Sequence, residues 1–147
     1  MKKILLMILV VFTAAKAFCQ IEKPVTWSFA IKKEKNNEAV VLLKATIQNS
    51  WHIYATDQKA GGPVKTSITF APSPDYMLTG KITQPKPQTK FETAFNMNVS
   101  YFENSVIFQQ RIKLKSGRGT LHGNLEYMTC NNQKCLPPDN LDFTINL

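Results

Sequence analysis

The sequence contains little histidine and little cysteine, with 2 His and 3 Cys among 147 residues. A structural zinc site requires four ligands, and His52 and His122 lie in separate strand-like segments without ligand spacing to the cysteines. No Ser, His and Asp arrangement and no carboxylate pair stands out for hydrolysis. We therefore expect no metal and no cofactor, and we interpret both histidines as ordinary strand residues.

Long apolar runs are also scarce, and the longest is ILLMILVVF near the N-terminus. Lys2 and Lys3 precede this run, which is too short to span a bilayer comfortably. The pattern predicts a secretory signal over residues 1–19 that is cleaved after Cys19, so the protein is exported. The alternative of a lipidated Cys19 fits less well, because Phe18 stands where a lipoprotein signal has a small residue.

No block of basic residues is present. The 18 Lys and Arg exceed the 10 Asp and Glu by 8, and this excess falls to 5 when Lys2, Lys3 and Lys16 leave with the signal. The remaining basic residues are scattered along alternating segments, as on a solvated surface. Export also argues against a nucleic-acid partner, and we expect none.

Amphipathic helix patterns and internal repeats are missing, whereas apolar and polar residues alternate in many short segments. This period of two is typical of half-buried strands. In VTWSFAI the apolar face consists of Val25, Trp27, Phe29 and Ile31. The segment QPKPQTK predicts a loop or frayed edge, and KSGRG predicts a hairpin turn. About seven to nine short strands in residues 20–147 predict one all-β domain, an antiparallel β-sandwich.

The two remaining cysteines, Cys130 and Cys135, lie in YMTCNNQKCLPP. Two cysteines this close in an exported protein are expected to pair. Closing so small a loop constrains the unfolded chain by only about 2 kcal/mol, so the disulfide is a modest staple. The polar insert and the rigid Pro137 and Pro138 favour an exposed loop that is open to thiol exchange. Lys134 is expected to favour the Cys135 thiolate.

Two alternatives to exchange remain open for this segment. One is a secreted binding or assembly module in which the disulfide is purely structural. The other is a Cu(I) site in which Met128 joins the cysteines, because thioether and thiolate sulfur favour Cu(I).

The motif of Tyr127, Cys130, Cys135 and the two prolines, followed by LDFTINL, resembles the end of the N-terminal periplasmic domain of the thiol:disulfide interchange protein DsbD family. The similarity extends to ATIQNSWHIYA and FNMNVSYFENSVIF. The resemblance implies an immunoglobulin-like sandwich in the periplasm that belongs to a protein-disulfide reductase system. It also implies that Cys135 forms mixed disulfides, that Cys130 resolves them, and that Phe95 caps the pair.

The resemblance further implies thioredoxin-like periplasmic partners and a membrane electron-conducting protein, with the domain itself expected to be a monomer. Family members continue into a membrane domain, and this sequence ends at Leu147, so we expect a separate protein to supply the electrons. Two departures from the family stand out. The insert between the cysteines is one residue shorter than usual, and Thr93 and Ala94 replace acidic residues before the cap.

Overall fold

The computed structural model describes residues 22–115 and 118–147. The predicted signal at residues 1–19, its cleavage after Cys19, and Ser116 and Gly117 of the predicted turn lie outside these ranges. The described residues form eleven β-strands: β1 Val25–Lys33, β2 Glu38–Ile47, β3 His52–Tyr54, β4 Ser67–Phe70, β5 Tyr76–Thr83, β6 Gln88–Glu92, β7 Met97–Glu103, β8 Ser105–Leu114, β9 Thr120–Tyr127, β10 Thr129–Cys130 and β11 Asp139–Asn146. Within this part of the chain, no helix has the length and apolar character needed to cross a membrane.

The strands form three sheets, and neighbouring strands in every sheet run antiparallel. The first sheet has the order β1-β2-β8-β5, the second β10-β3-β7-β6, and the third β11-β9-β4. The predicted all-β fold, an immunoglobulin-like antiparallel β-sandwich, is confirmed.

Aromatic side chains fill the space between the first sheet and the other two. Trp27 on β1 lies with its ring centroid 5.4 Å from that of Tyr127 on β9. Phe29, two residues further along β1, stacks on Phe143 of β11 at 4.7 Å. Because side chains two apart share a face of a strand, the alternation in β1 packs both half-buried rings against the main hydrophobic core.

Strand β3 of the second sheet is buried on both faces, and this property positions the site described below. Ile53 of β3 and Phe102 of β7 belong to the main core. On the opposite face Tyr54, Val99 and Cys130 form a smaller buried cluster, which we call the outer cluster. Residues next to each other in a strand point to opposite faces, so β3 contributes to both.

One short strand differs from the sequence-based expectations. Strand β10 contains 2 residues, which is too short for an alternating pattern to reveal. Strands β6 and β7 form a hairpin through the turn that contains Phe95. The prediction of a loop or frayed edge at QPKPQTK is confirmed, since residues 84–87 lie outside the strands and β6 is an edge strand.

Gly123 on β9 leaves room for a neighbouring ring. A Cβ atom there would overlap the ring of Phe143 and lie 2.6 Å from the carbonyl oxygen of Thr69. We expect Gly123→Ala to lower the free energy of unfolding by about 1–3 kcal/mol, the usual cost of overpacking. Urea unfolding of the oxidised protein measures this change.

Gly62→Ala is the matched control for that substitution. Its added Cβ would meet mainly the flexible end of Met97, with the sulfur at 3.0 Å. We therefore expect a loss of less than about 1 kcal/mol. Equal losses in the two variants would contradict the proposed overlap at Gly123.

Candidate functional site

Cys130 and Cys135 are joined by a disulfide, and their Cα atoms are 4.0 Å apart. The two residues face each other as an isolated antiparallel bridge. Backbone hydrogen bonds lie on both sides of this bridge, from Asn131 N–H to Lys134 O at 2.9 Å and from Leu136 N–H to Thr129 O at 2.9 Å. The cysteines therefore occupy a non-hydrogen-bonded position, where opposing side chains approach most closely.

The turn between the cysteines is held by the side chain of Asn131. Its Oδ1 accepts hydrogen bonds from the backbone N–H groups of Gln133 and Lys134, each at 2.8 Å. This is a local use of asparagine that favours tight turns. The insert of residues 131–134 thus closes a hairpin with its two cysteines directly opposite each other.

The two cysteines differ sharply in exposure. Cys130 is only 1% exposed, because its side chain lies in the outer cluster with Tyr54 and Val99. Cys135 follows the turn and is exposed. Since thiol–disulfide exchange depends on access to the sulfur that is attacked, Cys135 is the more accessible residue of the pair.

Phe95 lies in the turn that joins β6 to β7, where its N–H donates to the carbonyl oxygen of Glu92 at 3.2 Å. Its half-buried ring meets Tyr54 edge-on, with centroids 6.4 Å apart. The ring packs against the outer cluster that contains Cys130. A cleft of about 600 Å³ separates this turn from the cysteine hairpin, and both Phe95 and Cys135 line it. The structure therefore brings together all three site residues proposed from the sequence.

Lys134 lies between the cysteines, and its charge is partly engaged elsewhere. The Nζ atom forms an ion pair with Glu22 at 2.5 Å. It also lies 5.9 Å from the ring centroid of Trp51. The influence that we expected it to have on the Cys135 thiolate is weakened by this neighbouring carboxylate.

His52 is the residue of this region that the sequence did not reveal. It pairs with Cys130 in the register of β3 and β10, and it is 1% exposed. Its Nε2 lies 3.3 Å from the hydroxyl of Tyr54. Burial, reinforced by the positive charge of Lys90, lowers the pKa of His52 to about 4. The ring is therefore neutral at physiological pH.

Sequence reasoning treated both histidines as ordinary strand residues. His122 fits that description, since it is exposed on β9 with its Nδ1 3.1 Å from the Thr144 hydroxyl oxygen. The alternation in WHIY does place His52 and Tyr54 on one face. The pairing of His52 with Cys130 spans distant parts of the chain, and no local pattern encodes it.

Among residues 22–115 and 118–147, no three His, Cys, Asp or Glu side chains group as a metal site. Met128, the additional sulfur of the Cu(I) alternative, packs against the outer cluster beside Cys130.

Comparisons with known proteins identify relatives of the chain. Residues 20–147 match the family described as "Thiol:disulfide interchange protein DsbD, N-terminal". The fold is similar to the reduced DsbD N-terminal domain of Neisseria meningitidis, at 17% identity and a TM-score of 0.60, covering 89% of this chain and 91% of that one. No curated protein sequence matches this chain significantly.

Two further solved structures are similar. The N-terminal periplasmic domain of ScsB from Proteus mirabilis has 20% identity and a TM-score of 0.61, and the match covers 86% of this chain and 47% of that one. The complex between the DsbD and PilB N-terminal domains from Neisseria meningitidis gives 16% identity and a TM-score of 0.58, covering 88% of each chain. At these identities, the structural likeness shows the fold.

Proposed function

This chain belongs to the family of N-terminal domains of the thiol:disulfide interchange protein DsbD, and from that premise we propose that it relays electrons by thiol–disulfide exchange through Cys130 and Cys135. In this proposal, residues 1–19 are a signal that is removed after Cys19, and residues 20–147 act as a single domain in the periplasm. The supporting observation is a disulfide that joins a buried cysteine to an exposed one beside an open cleft.

The exchange begins at the accessible sulfur. A thiolate of the electron donor attacks Cys135 Sγ and forms a mixed disulfide, while the bond to Cys130 breaks and Cys130 leaves with the electron pair. The second thiol of the donor then attacks the sulfur of the donor's first cysteine in the mixed disulfide and releases Cys135. Two electrons have then passed to the cysteine pair, and the donor holds a disulfide.

Delivery of the electrons reverses these roles. The Cys135 thiolate attacks the disulfide of an acceptor, and Cys130 then attacks Cys135 Sγ and releases the reduced acceptor. We propose thioredoxin-like periplasmic proteins as acceptors, and a membrane electron-conducting protein or a thioredoxin-like protein as the donor. The related DsbD domain in complex with a PilB domain supports partners that are proteins.

The reduction potential of the cysteine pair tests the proposal. We expect a value between about −180 and −280 mV, the range of dithiol exchange proteins. Equilibration in glutathione or dithiothreitol buffers, followed by alkylation and mass spectrometry, gives this value. A potential below about −300 mV would instead favour a binding module with a structural disulfide.

Phe95 is proposed as the cap of the redox pair. Its support is the packing of the ring against the outer cluster and its place in the cleft with Cys135. An apolar cap hinders solvent and small oxidants from reaching the buried sulfur, and a partner must displace it to approach the pair.

A further inference from the structure

We propose that His52 is the proton-transfer partner of Cys130 during the exchange cycle. This inference rests on the proposed function, because it assigns a role within that cycle. It begins from a chemical requirement. Each cycle makes Cys130 Sγ a leaving group once and a nucleophile once, and both events involve its thiolate. Cys130 is 1% exposed, and an unpaired charge at such a place is costly.

The register of the second sheet places His52 on β3 directly opposite Cys130 on β10. Opposing residues of an antiparallel pair have Cβ atoms about 4.5–5.5 Å apart on the same face. Cys130 lies in the outer cluster with Tyr54, and the Tyr54 hydroxyl contacts His52 Nε2. His52 and Cys130 therefore share one buried environment.

The rings around His52 fix its position. Tyr54 and Tyr101 each meet it edge-on, with centroids 5.3 Å away. Among the described residues, its hydrogen-bond partner is the Tyr54 hydroxyl, at Nε2. A neutral imidazole carries one N–H donor and one bare nitrogen that accepts. In the tautomer that this role requires, Nε2–H donates to the Tyr54 hydroxyl oxygen, which leaves Nδ1 bare to accept the Cys130 proton.

Several titratable groups face His52 from the packed strands. They are Tyr54 on β3, Tyr101 and Glu103 on β7, Lys90 and Glu92 on β6, and Cys130 on β10. Lys90 opposes a positive ring and Glu92 favours it, while burial is the largest influence and lowers the pKa. His52 is therefore a bare base over the whole neutral range, and it holds a proton only transiently.

The proton step is balanced as follows. In the mixed disulfide, the Cys130 thiol gives its proton to the bare nitrogen of His52 as Cys130 Sγ attacks Cys135 Sγ. The Cys130–Cys135 bond forms, the bond from Cys135 to the partner sulfur breaks, and the partner leaves as a thiolate with the electron pair. The imidazolium, which its surroundings disfavour, then returns the proton to solvent.

A low-molecular-weight disulfide reagent, used in place of a protein partner, allows the proton step to be measured without any effect of partner recognition. Reduced protein mixed with dithiobis-nitrobenzoate releases one coloured thiolate when Cys135 attacks, at a rate proportional to the reagent. It releases a second coloured thiolate when Cys130 attacks Cys135 and forms the Cys130–Cys135 disulfide, which we call ring closure, at a rate independent of the reagent concentration. We expect His52→Phe, which keeps an aromatic ring, to slow only the second phase, by at least about tenfold at neutral pH.

The pH profile distinguishes proton transfer from a structural role. With His52 present, ring closure should change little between about pH 5.5 and 7.5, because the base is neutral above its pKa of about 4. In His52→Phe the closure rate should fall about tenfold for each unit of pH, since hydroxide must then remove the proton. His52→Gln, which keeps a hydrogen-bonding side chain without an imidazole, should show the same fall of about tenfold in the ring-closure rate for each unit of pH.

His122→Phe, on an exposed histidine, is the matched control and should leave both phases within about twofold of the parent chain. Ring closure that is unchanged in both His52 variants, or slowing of both phases together, would overturn the proposal. If His52→Phe does not fold, the pH dependence of the ring-closure rate in His52→Gln decides between proton transfer and a structural role. None of these results depends on whether a thioredoxin-like partner is captured, so the inference and the proposed function can fail separately.

Discussion

Replacement of Cys130 by alanine is expected to make the chain accumulate as a mixed disulfide through Cys135. Without Cys130 the second attack cannot occur, so the intermediate persists. Cys135→Ala should trap almost nothing, because the cysteine left behind is 1% exposed in the parent structure and lies in the outer cluster against which the Phe95 ring packs. We therefore expect nearly all of the Cys130→Ala protein, and almost none of the Cys135→Ala protein, to form a mixed disulfide.

The partner for this experiment is a thioredoxin-like protein with its second active-site cysteine replaced by serine. Its first cysteine carries a nitrobenzoate disulfide, so that neither side can resolve the product. Non-reducing electrophoresis and mass spectrometry of the linked peptides identify the bridging sulfur. Equal trapping by the two variants would show that the exposure of the cysteines does not set their roles, and capture through Cys130 alone would reverse the assignment.

Much of the fold could be predicted from local patterns. The alternation in β1 placed Trp27 and Phe29 on one face, and both rings pack against the main core. In β11, likewise, Phe143 and Ile145 are buried. The periodicity fails for β10, which contains 2 residues and owes its existence to pairing with β3. Short strands of this kind depend on tertiary contacts.

The candidate site could be predicted only in part. Spacing and export suggested the pairing of Cys130 with Cys135, and the disulfide is present. Phe95 came from the family resemblance, since nothing in its local sequence distinguishes it from Phe91. The positions of His52 and Lys134 depend on contacts with residues far away in sequence, namely Cys130 and Glu22. Local patterns do not specify such register.

Removal of the Phe95 ring is expected to expose Cys130 far more than Cys135. The ring packs on the outer cluster that contains Cys130, whereas Cys135 is already exposed. A reagent reaches a covered group through a minor open state, commonly populated at about 0.1–10%. Phe95→Ala should therefore speed alkylation of Cys130 by about ten- to a thousandfold, and that of Cys135 by less than about threefold.

Single-cysteine backgrounds, Cys135→Ser and Cys130→Ser, allow each rate to be measured with iodoacetamide and mass spectrometry. Phe91→Ala is the matched control, because that ring is 58% exposed on β6 and lies outside the outer cluster. It should change neither rate by more than about twofold. If Phe95→Ala raises the alkylation rate of Cys135 more than that of Cys130, Phe95 covers the exchanging sulfur. If neither alkylation rate changes, Phe95 is not part of the site. The expected gain at Cys130 alone would assign Phe95 to the resolving sulfur, which must stay protected until a partner bound at Cys135 displaces the ring.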